Sequence, residues 1–432
     1  MSITTNLRLM PLSVALLAGC GGDSGSGMDA AAAPPVLVPS SELSAQVGAC
    51  SVPIERVHDS GHVLYVVAPA GCSISFPATV TLQYHSPGSS TVSSTIDVPL
   101  ASSDDARPMT LPERGLRDVS LVQQGQWRSF PNADSWAPRD GAGVLVMDGK
   151  VYLLGGWKYG PVSSEVWVTT DLAHWEFLGE APWQGRHGSG WLVHDNRLWV
   201  VGGDLIDDVW SSADGVIWRL EALRAPFGKR YTPNTVSKDG YIYLYAGQYW
   251  EPVDWCIERP DCRPVGYNDV WRSRDGRSWE QVNPNAPWSP RGLIHGGMVW
   301  NNEIFLLGGG LKGSQPNDSY NDTMIEFKDI WSSKDGVNWE LRANPFPFPG
   351  RTHFSVLSTP VGCFVSDGSV GNQQNVTNDV YHAPDCVQYS ALPNPPLQRR
   401  HASGLAYFNG SVIIMGGAPT DNPGSEVWQY FP

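Results

Sequence analysis

The stretches RDGAGVLVMDGKVYLLGG (139–156) and RHGSGWLVHDNRLWVVGG (186–203) decide the fold, because they follow one template. Each opens with Arg, passes through an apolar run, turns, runs apolar again and ends in Gly-Gly. Four more copies follow: RYTPNTVSKDGYIYLYAG (230–247), RGLIHGGMVWNNEIFLLGG (291–309), RTHFSVLSTPVGCFVSDG (351–368) and RHASGLAYFNGSVIIMGG (400–417). The Arg precedes the small-residue pair by 16 positions in five units and by 17 in the fourth. Inside them, Asp148-Gly149, Asp239-Gly240 and Asn409-Gly410 separate two apolar runs. That is a hairpin signal, since the central residues of a tight β-turn need positive φ.

A second hairpin follows each pair. Its core is an acid, an aliphatic residue and an aromatic: Glu165-Val166-Trp167, Asp208-Val209-Trp210, Asp269-Val270-Trp271, Asp329-Ile330-Trp331, Asp379-Val380-Tyr381 and Glu426-Val427-Trp428. Another aromatic comes eight residues later in five units, at Trp175, Trp218, Trp279, Trp339 and Tyr389. Four strands per unit at a period of 44–61 residues predicts the blades of a β-propeller. The sixth unit stops before its last strand, and a matching segment stands upstream, where Trp127-Arg128-Ser129-Phe130 resembles the strand that begins at Trp279. The expectation is therefore an all-β chain: a six-bladed β-propeller over 126–432 whose N-terminal strand closes the last blade and removes the exposed sheet edges.

The repeated double glycine, with two aromatics bracketing the outer turn, resembles the kelch-repeat family over roughly 300 residues. Ala246-Gly247 and Asp367-Gly368 depart from the Gly-Gly pattern. The turns at 211–218 and 332–339, Ser-x-x-Asp-Gly followed by Trp, are similar to the Asp-box of sialidases with the Asp displaced. Upstream, 45–105 carries VLYVVA (63–68) and ATVTLQY (78–84) and predicts a small β-domain; 106–125 predicts a linker.

Composition agrees with a turn-rich β-protein. Of 432 residues, 46 are Gly, 19 are Trp and only 17% are charged. The net charge of −14 repels phosphate, so no nucleic-acid partner is expected. No apolar run reaches the 18 residues that a spanning helix needs.

The start of the chain predicts an address. Met1 to Gly19 has a weak basic region at Arg8 and an apolar stretch from Leu9 to Ala18, as in a signal peptide. It ends in Leu17-Ala18-Gly19-Cys20, which resembles the lipobox of bacterial lipoproteins. That resemblance implies lipidation of Cys20, a membrane partner through the lipid, and, with Gly21 next, an outer-membrane place in the cell envelope. Residues 20–44 read as a flexible tether. Setting Cys20 aside leaves six Cys in three local pairs, Cys50 with Cys72, Cys256 with Cys262 and Cys363 with Cys386. Six Cys allow 15 pairings; neighbour pairing is the simplest and suits an oxidising compartment.

Repeated residues are explained first by the fold, and unrepeated ones are candidates for function. The six Arg could line a channel and bind a carboxylate, or pair with the six recurring acids. Arg186, Arg230, Arg291 and Arg351 are taken as ligand contacts. The unrepeated loops add Trp157 and Tyr159, then Tyr249, Trp250, Glu251, Trp255 and Glu258, then Tyr320 and Glu326. The kelch resemblance places these loops on the Arg face, where aromatic rings and carboxylates suit a sugar. Four opening segments carry His187, His295, His353 and His401, but their offsets from the small pair differ, so convergence is not implied. No metal or cofactor is expected. The leading expectation is a lipid-anchored, non-catalytic module binding a glycan or protein. An enzyme on acidic sugars, mutarotase-like or a glycoside hydrolase, and a structural subunit of a surface complex are the alternatives.

Overall fold

Five of the six repeats fold into two antiparallel hairpins joined edge to edge, and the sixth supplies three strands of such a sheet. The computed structural model describes residues 42–432 apart from 87–89, 104, 113, 131–135, 159, 253–262, 313–323, 372–374, 394 and 419–424. The predicted signal segment, Cys20 and the tether up to residue 41 lie outside the described residues, as do Cys256 and Cys262. Among the described residues the chain is all-β, with one short 3-10 turn at Ile54–Arg56.

The first repeat forms the four-stranded sheet Gly143–Met147, Lys150–Leu154, Glu165–Thr169, Glu176–Glu180, in chain order. The second, third and fourth repeat the pattern from Gly190–His194, Asn234–Lys238 and Met298–Trp300. The fifth adds Ile294–His295 beside Phe354–Thr359 in parallel. The sixth, Gly404–Phe408, Ser411–Met415 and Val427–Tyr430, takes its outer strand from far upstream: Trp127 pairs with Tyr430 and Phe130 with Val427.

The repeated residues explain one another. Arg139 donates from its guanidinium to Gly155 O at 2.9 Å and to Glu165 at 2.6 Å, and Trp167 Nε1 donates to the same carboxylate at 3.2 Å. The later units repeat this: Arg186 with Asp208, Arg230 with Asp269, Arg291 with Asp329, Arg351 with Asp379, Arg400 with Glu426. The second glycine of each pair has to be small and left-handed. Gly156 has φ 97°, and a Cβ there would lie 3.0 Å from Arg139 Cδ. The outer turns are closed by Asp214 and its counterparts: Asp214 Oδ1 accepts the Val216 and Ile217 amides, each at 2.8 Å, and Trp218 Nε1 donates to Gly215 O at 3.0 Å.

Two observations relate the sheets to each other. The opening strand of each sheet packs on that of the next, and Gly404–Phe408 returns to Gly143–Met147. Two residues after each Arg the backbone is left-handed, at Gly141, Gly188, Thr232, Leu293, His353 and Ala402. These six form a closed cycle of hydrogen bonds. Gly141 N donates to Ala402 O, Ala402 N to His353 O, His353 N to Leu293 O, Leu293 N to Thr232 Oγ1, Thr232 N to Gly188 O and Gly188 N to Gly141 O, all within 2.6–2.9 Å. Further along the opening strands, Val144, Leu192, Val236, Val356 and Leu405 line a cavity of about 250 Å³.

Upstream, the expected linker is a correction. Strands β1 (Glu42–Val47), β2 (Cys50–Val52), β5 (Ala78–His85) and β6 (Val92–Leu100) form one sheet, in the order β2-β1-β5-β6. Strands β3 (Val57–Asp59), β4 (Val63–Ala68), β7 (Ala106–Leu111) and β8 (Gly115–Gln123) form a second, in the order β3-β4-β8-β7. Residues 106–111 and 115–123 are thus strands, because Val119 and Leu121 complete the core around Leu64, Val66 and Leu82. Glu42, Leu43 and Ser44, expected in the tether, belong to β1. The Cys50–Cys72 and Cys363–Cys386 disulfides form, as local pairing predicts. Strand β9 (Trp127–Phe130) follows β8 directly.

Candidate functional site

The residue after each Arg is the one that the template leaves free to vary: Asp140, His187, Tyr231, Gly292, Thr352 and His401. Backbone bridges join it to the residue after the small pair: Asp140 to Trp157, Tyr231 to Gln248, Thr352 to Ser369 and His401 to Ala418. The closed cycle of hydrogen bonds sits one residue further along, so it draws all these positions together.

The result is a buried polar cluster. Asp204 Oδ2 accepts from the backbone amide and from Nδ1 of His187, each at 2.8 Å. His187 Nε2 lies 3.1 Å from Tyr231 Oη. His401 Nε2 is 3.7 Å from Asp140 Oδ2. The His353 ring lies 5.6 Å from that of His401 and 6.2 Å from that of His295. The Trp157 ring centroid is 6.5 Å from His187, and Trp250 is 5.9 Å from Tyr231. Lys312, on the short strand Gly310–Lys312, is 4% exposed, and its charge bears on His353 and His401.

Burial sets the electrostatics. It pushes the Asp140 carboxyl up to about 6 and the Lys312 ammonium down to about 7. Burial, then the charge of Lys312 and of His187, takes His401 down to about 4. His187 goes the other way: burial would lower it, but the hydrogen bond and charge of Asp204 and the charge of Asp140 outweigh that and raise it. Asp140 Oδ1, Asp204 Oδ1, Gln248 Nε2, His353 Nδ1 and His401 Nδ1 are buried with no hydrogen-bond partner among the described residues. Such atoms are expensive unless a ligand or water satisfies them. Among the described residues no group of three or more His, Cys, Asp or Glu is arranged to hold a metal ion.

The sequence-predicted site divides three ways. Trp157 and Trp250 fall in the cluster. Arg186, Arg230, Arg291 and Arg351 are each 0% exposed and paired with an acid of the same repeat. Tyr249 and Glu251 are engaged with each other at 2.9 Å, and Arg263 holds Glu251 at 2.6 Å. Glu326 accepts the Gly371 amide. Tyr159, Trp255, Glu258 and Tyr320 lie outside the described residues. Sequence reasoning missed Asp140, Asp204, Gln248 and Lys312. Their signal was present: they stand at or next to the template positions that do not repeat.

No protein-family profile matches the chain, and no curated protein matches it.

Proposed function

We propose that the protein is a lipid-anchored, six-bladed kelch-type β-propeller of the bacterial envelope that binds a sugar in a pocket on its axis. Cyclic packing of the opening strands, the closed hydrogen-bond cycle and the Trp127–Phe130 pairing with the last repeat support the propeller. The Leu17-Ala18-Gly19-Cys20 segment and the two disulfides support the envelope.

One observation carries the binding reading: these five buried polar atoms have no hydrogen-bond partner among the described residues. Two are carboxylate acceptors, one is an amide donor and two are imidazole nitrogens that can play either part. A polyhydroxylated ring offers donors and acceptors at that density, and Trp157, Tyr231 and Trp250 supply apolar faces. The test is a glycan array with the detergent-solubilised full-length chain. Retention of a terminal sugar, lost in Gln248→Ala, is expected; silence on the array, or unchanged binding by the variant, rejects the reading.

Action on acidic sugars is favoured by one further feature. Lys312 places a buried cation among the imidazoles, which suits a carboxylate-bearing ligand.

A further inference from the structure

Along the opening strands, Asp140, His187, Tyr231 and His401 precede the hydrogen-bond cycle, and the cavity of about 250 Å³ follows it. Ala142 and Ser403 of its lining stand one residue past Gly141 and Ala402 of the cycle. The wall is largely apolar, with Val144, Leu192, Val236 and the Trp191 indole, whose Nε1 is already bonded to Gly141 O at 3.2 Å. Among the described residues no Asp, Glu, Lys or Arg lines it.

One imidazole interrupts that wall. His295 stands four residues after its Arg, where the first, second and sixth repeats have Gly143, Gly190 and Gly404. The extra residue of the fourth repeat falls between Leu293 and Met298. There Ile294–His295 leaves the sheet of its own repeat and pairs in parallel with Phe354 and Ser355 of the next. Two glycines bring the chain back. Gly296 has φ 95°, and a Cβ there would lie 2.7 Å from Val356 O; one at Gly297 would be closer still to Thr235 O. Asn234 Nδ2 fixes the detour by donating to Gly296 O. The result sets His295 in the cavity lining, its ring 6.2 Å from that of His353. Its Nε2 is buried with no hydrogen-bond partner among the described residues. Burial, then the charges of His187 and His401, takes the imidazole down to about 3, so it is uncharged near neutral pH.

We propose that this cavity is a second binding site, for a small uncharged phenol or aryl alcohol whose hydroxyl meets His295. The proposal does not rest on the sugar-binding reading.

Size, charge and hydrogen bonding each narrow the ligand. An apolar cavity of about 150 Å³ already admits benzene, so this one takes a benzene ring with a short side chain. A charged ligand would be buried here with no counter-charge, which is costly. A sugar ring would leave hydroxyls against Val144, Leu192 and Val236. The serine hydroxyls of the lining are engaged with the protein. Ser237 Oγ lies 2.8 Å from His194 Nδ1, Ser358 Oγ accepts the Val299 amide at 3.3 Å, and Ser403 Oγ donates to Gly416 O at 3.5 Å. His295 then sets the polar end. A hydroxyl suits it in either tautomer, donating to a bare ring nitrogen or accepting from a protonated one.

The experiment titrates 4-propylphenol, propylbenzene and 4-propylbenzoate by calorimetry into the full-length chain in phospholipid nanodiscs, with empty discs as the reference. Detergent is avoided because it would itself enter an apolar cavity. Saturable binding of one 4-propylphenol per chain is expected, with 4-propylbenzoate weaker by about tenfold or more. His295→Leu should weaken 4-propylphenol about tenfold and leave propylbenzene within about threefold, whereas general loosening of the fold would move both alike. Fluorine NMR of the chain labelled with 5-fluorotryptophan locates the site. The resonance that Trp191→Phe removes should shift on adding 4-propylphenol. The proposal is overturned by no saturable binding beyond that of empty discs, by equal effects of His295→Leu on both neutral probes, or by a Trp191 resonance that stays in place. Glycan retention, kept or lost, bears only on the other reading.

Discussion

Six arginines form one ring of the molecule, and the residues that directly follow them form another. In the first ring each guanidinium is fully buried and hydrogen-bonded to an acid and to a backbone carbonyl, unit after unit. In the second the residue changes at nearly every step, and buried polar atoms of Asp140 and His401 lack partners. The first ring solves a packing problem that every sheet shares. The second solves nothing that the fold needs, and natural proteins keep such costly groups where they act on something else.

The comparison can be broken most forcefully at the first ring. Arg291→Ala leaves the Asp329 carboxylate buried without its cation and should cost about 3–5 kcal/mol in urea unfolding. A loss below about 1 kcal/mol would remove the structural role assigned to these pairs.

The next effect has the opposite sign. Asp367 stands where four other repeats have Gly and the third has Ala246, is left-handed at φ 57°, and is fully buried. Burial pushes its carboxyl up to about 8, against the nearby positive charge of Arg400 and Arg351. Because the folded chain holds this proton more tightly than the unfolded chain, its contribution is full below the ordinary carboxylate value of 3.8 and is lost as pH rises through about 8. Asp367→Asn should therefore be more stable than the parent at pH 8 by several kcal/mol, with the gap closing on acidification. Thermal unfolding across that range reads it, and a constant gap refutes it.

A smaller change tests the outer turns. Asp214→Ala removes the acceptor of two backbone amides and should cost about 1 kcal/mol. Smallest in stability is the second ring. His401→Ala should move the unfolding midpoint by the equivalent of about 0.5 kcal/mol or less, while glycan retention disappears. Large destabilisation with binding intact would reverse the roles given to the two rings.

Much of this was legible in the sequence, and the reason is repetition. Arg at a constant distance from a small pair, then an acid beside a Trp, states a packing unit several times over. The match between the Trp127 and Trp279 segments pointed to the pairing with Tyr430. Strands β7 and β8 were hidden because they occur once and because ARPMTL and GLRDVSLVQ interleave charge and proline with their apolar positions. The histidines misled for a geometric reason. His187 and His401 stand one residue after an Arg, His353 two and His295 four, so their spacings disagree along the chain. Closure of the hydrogen-bond cycle brings every such position toward one point, whatever its offset. Arg186 and its counterparts misled in the other direction: a guanidinium suits a ligand carboxylate as well as one of the protein's own, and only coordinates show which it meets.

The pairing of Trp127–Phe130 with Val427–Tyr430 also bears on how the chain is made. The two partners lie about 300 positions apart, so the sixth sheet cannot be completed until the final repeat has been synthesised. Until then the outer edge of that sheet and the lone early strand each offer unpaired backbone groups to any passing polypeptide. Synthesis therefore delivers an open-ended intermediate, and a holding chaperone has a defined segment, Gln126 to Phe130, to guard until the end of the chain arrives.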